Sequence, residues 1–434
     1  MNMRHPLSHL PSPTTLLSPV DSPFVYRAGE LYCEQVPLAA IAAAVDTPVY
    51  VYSRDEILTR ARAMLDTVNR VTGSQALICY AVKANSNPAV VQMLQDAGFG
   101  ADVTSGGELF LASHAGVVPE KIIFSGVGKK SAEIAEALAI GIRAIHVESE
   151  MELTAVADEA ERLDVIAPIG VRVNPNVSAE THPYISTGLH AHKFGVPRER
   201  AVSILRVAAA HSHLRPVGLA AHIGSQITDL DPFGQAVRFL IELADEMKAE
   251  GIPLEYIDAG GGLGIDYQGS APAATDWVEV IGKLVADAGY GLVLEPGRSI
   301  VGRSGALITR VVYTKEQGRK QFVIADAGMT DLIRPTLYQA HHPIFPVRES
   351  AGEYETVDLV GPICETSDFL ARERLLPPVG RGDLLAVLHA GAYGYAMSSN
   401  YNGHLRPAEV LVEGDTFRVI RRRQGYEALL AGAE

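Results

Sequence analysis

Ala76-Leu-Ile-Cys-Tyr-Ala-Val-Lys83-Ala-Asn-Ser-Asn-Pro88 is a short apolar segment that ends at a single lysine and a polar turn. An uncharged apolar run of this length is typical of a strand that is buried on both faces. The Asn, Ser and Pro residues after the lysine are typical of a turn. Lys83 would then lie at the mouth of the strand, where a long amine can reach a pocket. A solvated lysine in a loop between a strand and a helix is the ordinary alternative.

Further strand-like runs follow this one at regular intervals. They are Gly100–Val103, Lys121–Phe124, Ala144–Val147, Pro168–Val173, Pro216–Ala221, Tyr256–Ala259 and Gly291–Leu294. Between most neighbours lies a helix-length segment rich in Ala, Leu and Glu. Strands that alternate with helices from residue 50 to residue 296 predict an α/β fold of the (β/α)8 TIM-barrel type, whose usual size is about 250 residues. An open, doubly wound sheet is the alternative, because periodicity alone does not separate the two.

The pattern changes after Arg298. Strand-like runs without comparable helices follow at Val301–Tyr313, Gln321–Ala325, Thr356–Val360 and Asp383–Leu388, which predicts a β-rich second domain. Short apolar stretches around a Gly-Glu turn near the N-terminus predict extended structure there, such as a hairpin. We therefore expect a loose leader at 1–23, an N-terminal segment at 24–48 that packs on the β domain, the barrel at 49–298 and the β domain at 299–434.

Composition limits the partners and the compartment. A formal net charge of −14 over 434 residues argues against nucleic acid or an anionic membrane as the main partner. No apolar run approaches the roughly 20 residues that a membrane-spanning helix needs. The leader has no continuous apolar core, so we do not expect a signal peptide. Three cysteines that lie far apart, Cys33, Cys79 and Cys364, predict a reducing, cytoplasmic setting without disulfides.

Polar or glycine residues follow each predicted barrel strand. In chain order they are Lys83, Asp102, Ser125, Glu148, Asn174, His222, Gly260–Gly262 and Glu295. Barrel enzymes assemble their sites at this end of the strands. Any one of these residues could be a cap or a turn residue, but eight in phase indicate an active site.

The segment Ala259-Gly-Gly-Gly-Leu-Gly264 predicts a phosphate site, because consecutive glycines let backbone amides approach a phosphate and barrels bind phosphate after strands seven and eight. Ile265 stands where the dinucleotide-binding fingerprint G-x-G-x-x-G requires its last glycine, so that motif is absent. Gly126-Val-Gly-Lys-Lys130 is not a P-loop, because Ile123 replaces the first glycine and Lys130 replaces the Ser or Thr. A phosphate site, Lys83 and the carboxyl of Glu295 together indicate pyridoxal phosphate: the lysine binds the aldehyde, the glycine loop the phosphate and the acid the ring nitrogen. A protonated pyridine ring is a strong electron sink, which suits decarboxylation.

Several motifs in order resemble the diaminopimelate decarboxylase family, within the fold type III (alanine-racemase-like) pyridoxal-phosphate decarboxylases. The resemblance runs from about Phe24 to Gly414. The matching motifs are Tyr80-Ala-Val-Lys-Ala-Asn85, His222-Ile-Gly-Ser-Gln226, Gly260-Gly-Gly262, Glu295-Pro-Gly-Arg298, Gly361-Pro-Ile-Cys-Glu365 with Asp368, and Ala390-Gly-Ala-Tyr-Gly-Tyr395. The resemblance implies a C-terminal β-barrel or sandwich and a homodimer whose subunits complete each other's sites.

The resemblance also implies residue roles. Lys83 and Cys364 would be catalytic, with Cys364 from the partner subunit as the proton donor. The cofactor would contact Lys83, His222, Ser225, Gly260, Gly261, Gly262, Glu295, Gly297, Arg298 and Tyr393. The substrate, meso-2,6-diaminopimelate, would contact Arg298, Arg334, Tyr338, Tyr393 and, from the partner subunit, Glu365; the product would be L-lysine, in the last step of lysine biosynthesis. Arginine suits the retained carboxylate because its planar fork makes bidentate contacts.

Three other functions remain open on the sequence: a related decarboxylase for ornithine, arginine or a carboxylated polyamine, an amino acid racemase on the same fold, and a non-catalytic relative that binds a partner protein. Glu295 argues against the racemase, and the retained Lys83, glycine loop and Cys364 argue against the non-catalytic relative.

Cys79 is predicted to be a core residue. The pairs His341-His342, His190-x-His192 and His211-x-His213 lack metal-binding spacing, so we predict loop histidines and no metal site.

Overall fold

The computed structural model describes residues 22–73, 76–177, 193–267 and 271–433. The chain divides into two compact units: one comprises residues 58–302, and the other combines the residues up to Ile57 with those from Arg303 onward. Nearly all of the predicted leader, and the pair His190 and His192, lie outside the described residues.

The N-terminal segment contributes its strands to the second unit, as a hairpin and one central strand. The elements are β1 (Phe24–Arg27), β2 (Glu30–Cys33), β3 (Val36–Pro37), helix α1 (Leu38–Val45) and β4 (Val49–Ser53). β1 and β2 pair in antiparallel fashion around Ala28 and Gly29, which both have positive φ. Because apolar side chains alternate along β1 and β2, Phe24, Leu31 and Cys33 enter one buried cluster with Val410.

The first unit is a closed barrel of parallel strands. Its strands are β5 (Ala76–Ala81), β6 (Gly100–Val103), β7 (Ile122–Phe124), β8 (Ala144–Val147), β9 (Ala167–Arg172), β10 (Leu214–Ala220), β11 (Tyr256–Asp258) and β12 (Gly291–Leu294). Each strand pairs with its neighbour in sequence, and β12 closes the barrel on β5. The predicted (β/α)8 barrel is therefore confirmed, and the open doubly wound sheet is wrong.

Helices follow the barrel strands in the expected alternation. They are α2 (Arg54–Thr72), α3 (Pro88–Asp96), α4 (Gly106–His114), α5 (Ser131–Ile140), α6 (Glu150–Leu163), α7 (Arg198–Ala210), α8 (Asp231–Ala249), α9 (Ala274–Asp287) and the short α10 (Arg298–Val301). The first turns of α4 and α6 are capped by Ser105 and Ser149, whose hydroxyl oxygens accept backbone N–H bonds. In α9, Val278, Ile281 and Val285 are buried at helical spacing, and burial of each stabilises the fold by about 1.5–3 kcal/mol.

The second unit is β-rich, as predicted. After the N-terminal elements it contains β13 (Gly305–Gln317), β14 (Lys320–Ala325), helix α11 (Arg334–Tyr338), β15 (Ile344–Pro346), β16 (Glu355–Val360), β17 (Phe369–Leu376), β18 (Leu384–Leu388), β19 (Ala408–Glu413) and β20 (Thr416–Arg421). β4 lies between β13 and β19 in this sheet, so Val49–Ser53 is not a barrel element although we expected the barrel to begin at residue 49. No helix among the described residues is both long and apolar enough to cross a membrane.

Candidate active site

Lys83 lies in a single 3-10 turn, Val82–Ala84, directly after β5. Its Nζ donates a 2.7 Å hydrogen bond to Oδ2 of Asp102, a fully buried carboxylate on the neighbouring strand β6. Burial raises the pKa of Asp102, but the charge and hydrogen bond of Lys83 outweigh it, so the pKa of this carboxyl is lowered. Lys83 is thus held at the carboxyl end of the barrel by a buried ion pair and remains one-third exposed.

Glu295 follows β12 and is buried next to the Lys83 strand. Oγ of Ser125 donates a 3.3 Å hydrogen bond to Glu295 Oε1, and the Ala81 amide donates a 3.0 Å bond to the carbonyl of Pro296. Burial, followed by the charges of Asp102 and Asp258, raises the pKa of Glu295 well above its usual range. Burial and the neighbouring acids therefore favour the protonated form of Glu295, which suits a group that shares a proton with a basic ring nitrogen.

The glycine loop is packed too closely for any side chain. A Cβ atom on Gly261 would lie 2.1 Å from the carbonyl oxygen of Glu295, and one on Gly262 would lie 2.2 Å from that of Gly224. A Cβ atom on Gly260 would lie 2.4 Å from the carbonyl oxygen of Ala221, and Gly260 has a φ of +66°. The loop backbone can therefore lie flat against a ligand, as a phosphate site requires.

The segment His222–Gln226 lies against this loop. The Gly261 amide donates a 3.3 Å bond to Nδ1 of His222, and burial lowers the pKa of His222 to about 3, so the ring is neutral and offers an apolar face. Ser225 Oγ accepts a 3.0 Å bond from Arg298, whose other terminal nitrogen donates to the Tyr267 hydroxyl at 2.9 Å. Arg298 is buried at the start of α10 with its donors directed at hydroxyl oxygens, which an anionic group could replace.

Glycine is required at position 297, where the loop after β12 passes the 3-10 turn that carries Lys83. A Cβ atom at this position would lie 2.9 Å from Cβ of Ala84 and 3.2 Å from that of Ala81. The predicted barrel residues, from Lys83 to Arg298, are therefore brought together at one end of one barrel.

The residues that we predicted from the late motifs lie in the second unit. Cys364 and Glu365 are exposed; the Cys364 amide donates to Asn402 Oδ1 at 2.8 Å, and Glu365 accepts a 2.6 Å bond from the Tyr401 hydroxyl. Tyr338 ends helix α11 and is half-buried, and Tyr393 is half-buried with a φ of +58°.

Arg334 begins α11 and is buried against a histidine. Its Nη1 lies 2.8 Å from Nε2 of His342, whose Nδ1 lies 2.9 Å from the carbonyl oxygen of Leu388. Since a carbonyl only accepts, Nδ1 carries the ring hydrogen and Nε2 accepts from Arg334. His342 lies in the loop between α11 and β15, as predicted, but it is fully buried and orients an arginine. Cys79 is buried in the barrel core, as predicted.

The sequence reasoning missed a buried polar cluster inside the barrel. His146 Nε2 lies 2.9 Å from the Tyr256 hydroxyl, and His146 Nδ1 lies 3.8 Å from Oδ2 of Asp258. Ligand atoms of His146, Asp258 and Glu295 lie within 4.8 Å of one another, a spacing that a metal ion could use. Burial lowers the pKa of His146 to about 3 and raises that of Asp258 to about 7. Asp258 could have been suspected, because it ends a strand and immediately precedes the glycine loop.

The residues present fit pyridoxal phosphate. An amine, a buried acid of raised pKa and a glycine loop with no room for side chains lie at one end of the barrel, and they match the aldehyde, the ring nitrogen and the phosphate of that molecule. The buried Oδ1 of Asp102 and Oδ2 of Asp258 have no hydrogen-bond partner within the part of the chain that the structure describes. Such buried polar atoms are typical of a site that binds a polar ligand.

Comparison with known proteins agrees with this site. A family model described as the pyridoxal binding domain of pyridoxal-dependent decarboxylases matches residues 54–302. The diaminopimelate decarboxylase of Aquifex aeolicus is 46% identical over 407 residues, which cover 93% of this chain and 96% of that protein. The Pseudomonas aeruginosa enzyme of the same name is 47% identical, with 94% and 98% covered.

A solved structure gives the same result for the fold. The crystal structure of diaminopimelate decarboxylase from Helicobacter pylori complexed with L-lysine is similar with a TM-score of 0.85 and 40% identity, over 91% of this chain and 98% of that one. The match extends over both units, so it does not rest on the barrel alone. This chain belongs to the diaminopimelate decarboxylase family of pyridoxal-dependent decarboxylases.

Proposed function

We propose that this protein decarboxylates meso-2,6-diaminopimelate to L-lysine and carbon dioxide with pyridoxal phosphate as its cofactor. The observation that supports this most strongly is the Lys83 amine, held 2.7 Å from Asp102 beside the glycine loop and the buried acid Glu295. Its relatives in Aquifex aeolicus and Pseudomonas aeruginosa carry the name of this activity.

Different barrel residues would hold different parts of the cofactor. The Gly260–Gly262 loop, with Ser225, would hold the phosphate. The neutral His222 ring and Gly297 would line the pyridine ring, and Lys83 would hold the aldehyde carbon. When bound, the cofactor supplies an electron sink for the pair left at Cα after carbon dioxide departs. Burial and two nearby acids raise the pKa of Glu295, so its carboxyl group could pass a proton to the ring nitrogen, and the carboxylate that remains would pair with the cationic ring.

The substrate would be recognised through its retained carboxylate and ammonium groups. Arg298 and Arg334 are both buried, so an anionic group that reaches them is shielded from water. A substrate without the distal carboxylate would leave a buried guanidinium without its anionic partner, which costs on the order of 1–3 kcal/mol for each lost contact. The family resemblance also assigns Tyr338, Tyr393 and, from the partner subunit, Glu365 to substrate recognition.

Cys364 would return a proton to the substrate carbon from the partner subunit of a homodimer. Its exposed position, with Glu365 and Tyr401 beside it, supports a role at a surface that a second copy covers. We further propose a cytoplasmic location, which the unpaired cysteines Cys33, Cys79 and Cys364 support.

A related decarboxylase for ornithine, arginine or a carboxylated polyamine is the alternative. Purified protein should show a cofactor absorbance band and release lysine and carbon dioxide from meso-2,6-diaminopimelate, with kcat/KM at least about 100-fold higher than for ornithine or arginine, because the buried arginines need the distal carboxylate. Equal or higher kcat/KM with ornithine would reject diaminopimelate as the substrate while leaving the decarboxylase assignment intact. A protein that binds no cofactor would reject both.

A further inference from the structure

We propose that Asp258 is a positioning residue for the cofactor phosphate: its carboxylate holds the glycine loop in the binding conformation through the Gly260 amide. The inference rests on the cofactor assignment above and adds a residue that does not itself contact the cofactor. Asp258 ends β11 and is fully buried.

The contact is a side-chain bond to the backbone two residues ahead. Oδ1 of Asp258 accepts a 2.8 Å hydrogen bond from the Gly260 amide. Aspartate makes this local turn readily, because its short side chain reaches the N–H group at position i+2. The bond therefore sets where the chain turns as it leaves the strand and enters the loop.

Gly260 needs this acceptor. It has a φ of +66°, a Cβ atom there would lie 2.4 Å from the carbonyl oxygen of Ala221, and the residue is buried, so its amide is shielded from water. A buried N–H group without an acceptor costs about 1–3 kcal/mol. Without the Asp258 carboxylate, the loop would have to rotate to satisfy this amide, and the neighbouring amides would rotate with it.

Those neighbouring amides are the ones that matter for phosphate. The Gly261 amide donates to His222 Nδ1 at 3.3 Å, and that of Gly264 donates to the carbonyl of Ile227 at 2.8 Å. The Gly262 amide has no acceptor within the described ranges, which leaves it available to an anion. Asp258 thus fixes the first amide of a series whose third member is free to bind.

The carboxyl group of Asp258 is itself held from the other side. Oδ2 lies 3.8 Å from Nδ1 of His146, and that ring is fixed by the Tyr256 hydroxyl 2.9 Å from Nε2. All three side chains are buried. This arrangement limits rotation of the carboxyl group and keeps Oδ1 on Gly260. Within the described part of the chain Oδ2 has no partner at hydrogen-bonding distance, and the carboxyl group of Glu295 lies near Asp258.

The two oxygens therefore allow a sharp test with the full-length chain. Asp258→Asn keeps the Oδ1 acceptor, whereas Asp258→Ala removes it. After bound cofactor is removed, pyridoxal phosphate is titrated by absorbance and inorganic phosphate by calorimetry. Asp245→Asn and Asp245→Ala are the matched controls, because Asp245 lies on helix α8 outside the site and accepts a 2.7 Å hydrogen bond from the Tyr290 hydroxyl. Thermal unfolding of each variant checks that it is folded.

We expect Asp258→Ala to raise the Kd for both inorganic phosphate and cofactor by about tenfold or more, from the lost hydrogen bond, and Asp258→Asn to stay within about threefold of wild type. Unchanged phosphate binding in Asp258→Ala, or equal losses in the two variants, would overturn the inference. If Asp258→Ala does not fold, Asp258→Asn decides alone, since a tenfold loss there contradicts the proposed role of Oδ1. A wild-type chain that binds neither probe would overturn the cofactor assignment, and this inference with it.

Discussion

The Lys83 ammonium lies among three buried carboxyl groups whose protonation states differ. It bonds Asp102 directly, and this contact lowers the pKa of that acid, whereas burial raises the pKa of Asp258 and Glu295. One ammonium can neutralise one carboxylate, so burial disfavours the charged forms of the other two acids. The site therefore has two acids of raised pKa near the amine that would carry the cofactor.

Replacement of Lys83 tests the centre of the proposed chemistry. Lys83→Ala should abolish the absorbance band of covalently held cofactor and lower kcat by at least about 10³-fold, because both the covalent contact and an acid–base group are lost. Absorbance spectra and carbon dioxide release measure the two effects. Lys121→Ala, which removes an exposed lysine of the same barrel, is the control. Normal turnover in Lys83→Ala would contradict the scheme.

The pKa of Asp258 predicts how stability depends on pH. It is about 7 in the folded protein against a usual value of 3.8, so between these values the folded state binds more protons than the unfolded state. The free energy of unfolding contributed by this group therefore falls as pH rises from about 4 to 7. In the cofactor-free protein, Asp258→Asn should gain stability relative to wild type between pH 5 and pH 8, on the order of a few kcal/mol.

Chemical denaturation of both proteins across this pH range measures the difference. Burial also raises the pKa of Asp331 to about 7 and lowers that of His222 to about 3, and both residues are present in the two proteins. Asp258 also raises the pKa of Glu295, so the difference between the two curves reports these two acids together. Parallel stability curves for the two proteins would show that Asp258 titrates normally.

At the scale of elements, the glycine loop accounts for much of what could be predicted. Gly261→Ala should weaken cofactor binding by more than about tenfold, because its Cβ would lie 2.1 Å from the carbonyl oxygen of Glu295 and the loop must move. Gly128→Ala is the matched control, since no atom lies within 4 Å of the added Cβ. Cofactor titration by absorbance measures both. Equal affinities in the two variants would mean that the loop does not hold the phosphate.

The barrel strands could be predicted because each is a short apolar run followed by a polar or glycine residue. Gly100–Val103, Ala144–Val147 and Gly291–Leu294 have the predicted bounds. Parts of the β-rich unit were harder, because strands such as β17 and β20 have exposed positions and therefore weaker apolar patterns. The sequence analysis did not identify β17, β19 and β20, which carry charged residues, and Val301 ends helix α10 where a strand was expected to begin.

Some of the site could not be derived from sequence position. β4 is as apolar as a barrel strand, and only its partners β13 and β19 reveal that it belongs to the other unit. His146 and Tyr256 point into the barrel from the middle and the start of their strands, where no motif marks them. His342 follows a histidine in a loop sequence, and its bond to Arg334 depends on the tertiary fold.

For the whole molecule, the proposed homodimer predicts complementation between inactive variants. If Lys83 and Cys364 of one active site come from different subunits, a mixture of Lys83→Ala and Cys364→Ala chains contains hybrid dimers with one intact site. Equal amounts that pair at random should recover about a quarter of the wild-type sites. Activity assays after the subunits are dissociated and mixed measure this. Each variant mixed with itself is the control, and no recovery would show that both residues act within one chain.

The second unit is built from both ends of the polypeptide, and this has a consequence for biosynthesis. β4 pairs on one side with β13 and on the other with β19, so a strand made early at the ribosome waits for partners that are translated more than 250 residues later. The barrel sequence emerges in full during that interval. A chain released before Ala408 lacks β19 and leaves one edge of β4 unpaired. Nascent chains and truncated products would therefore expose an aggregation-prone apolar strand to chaperones and proteases.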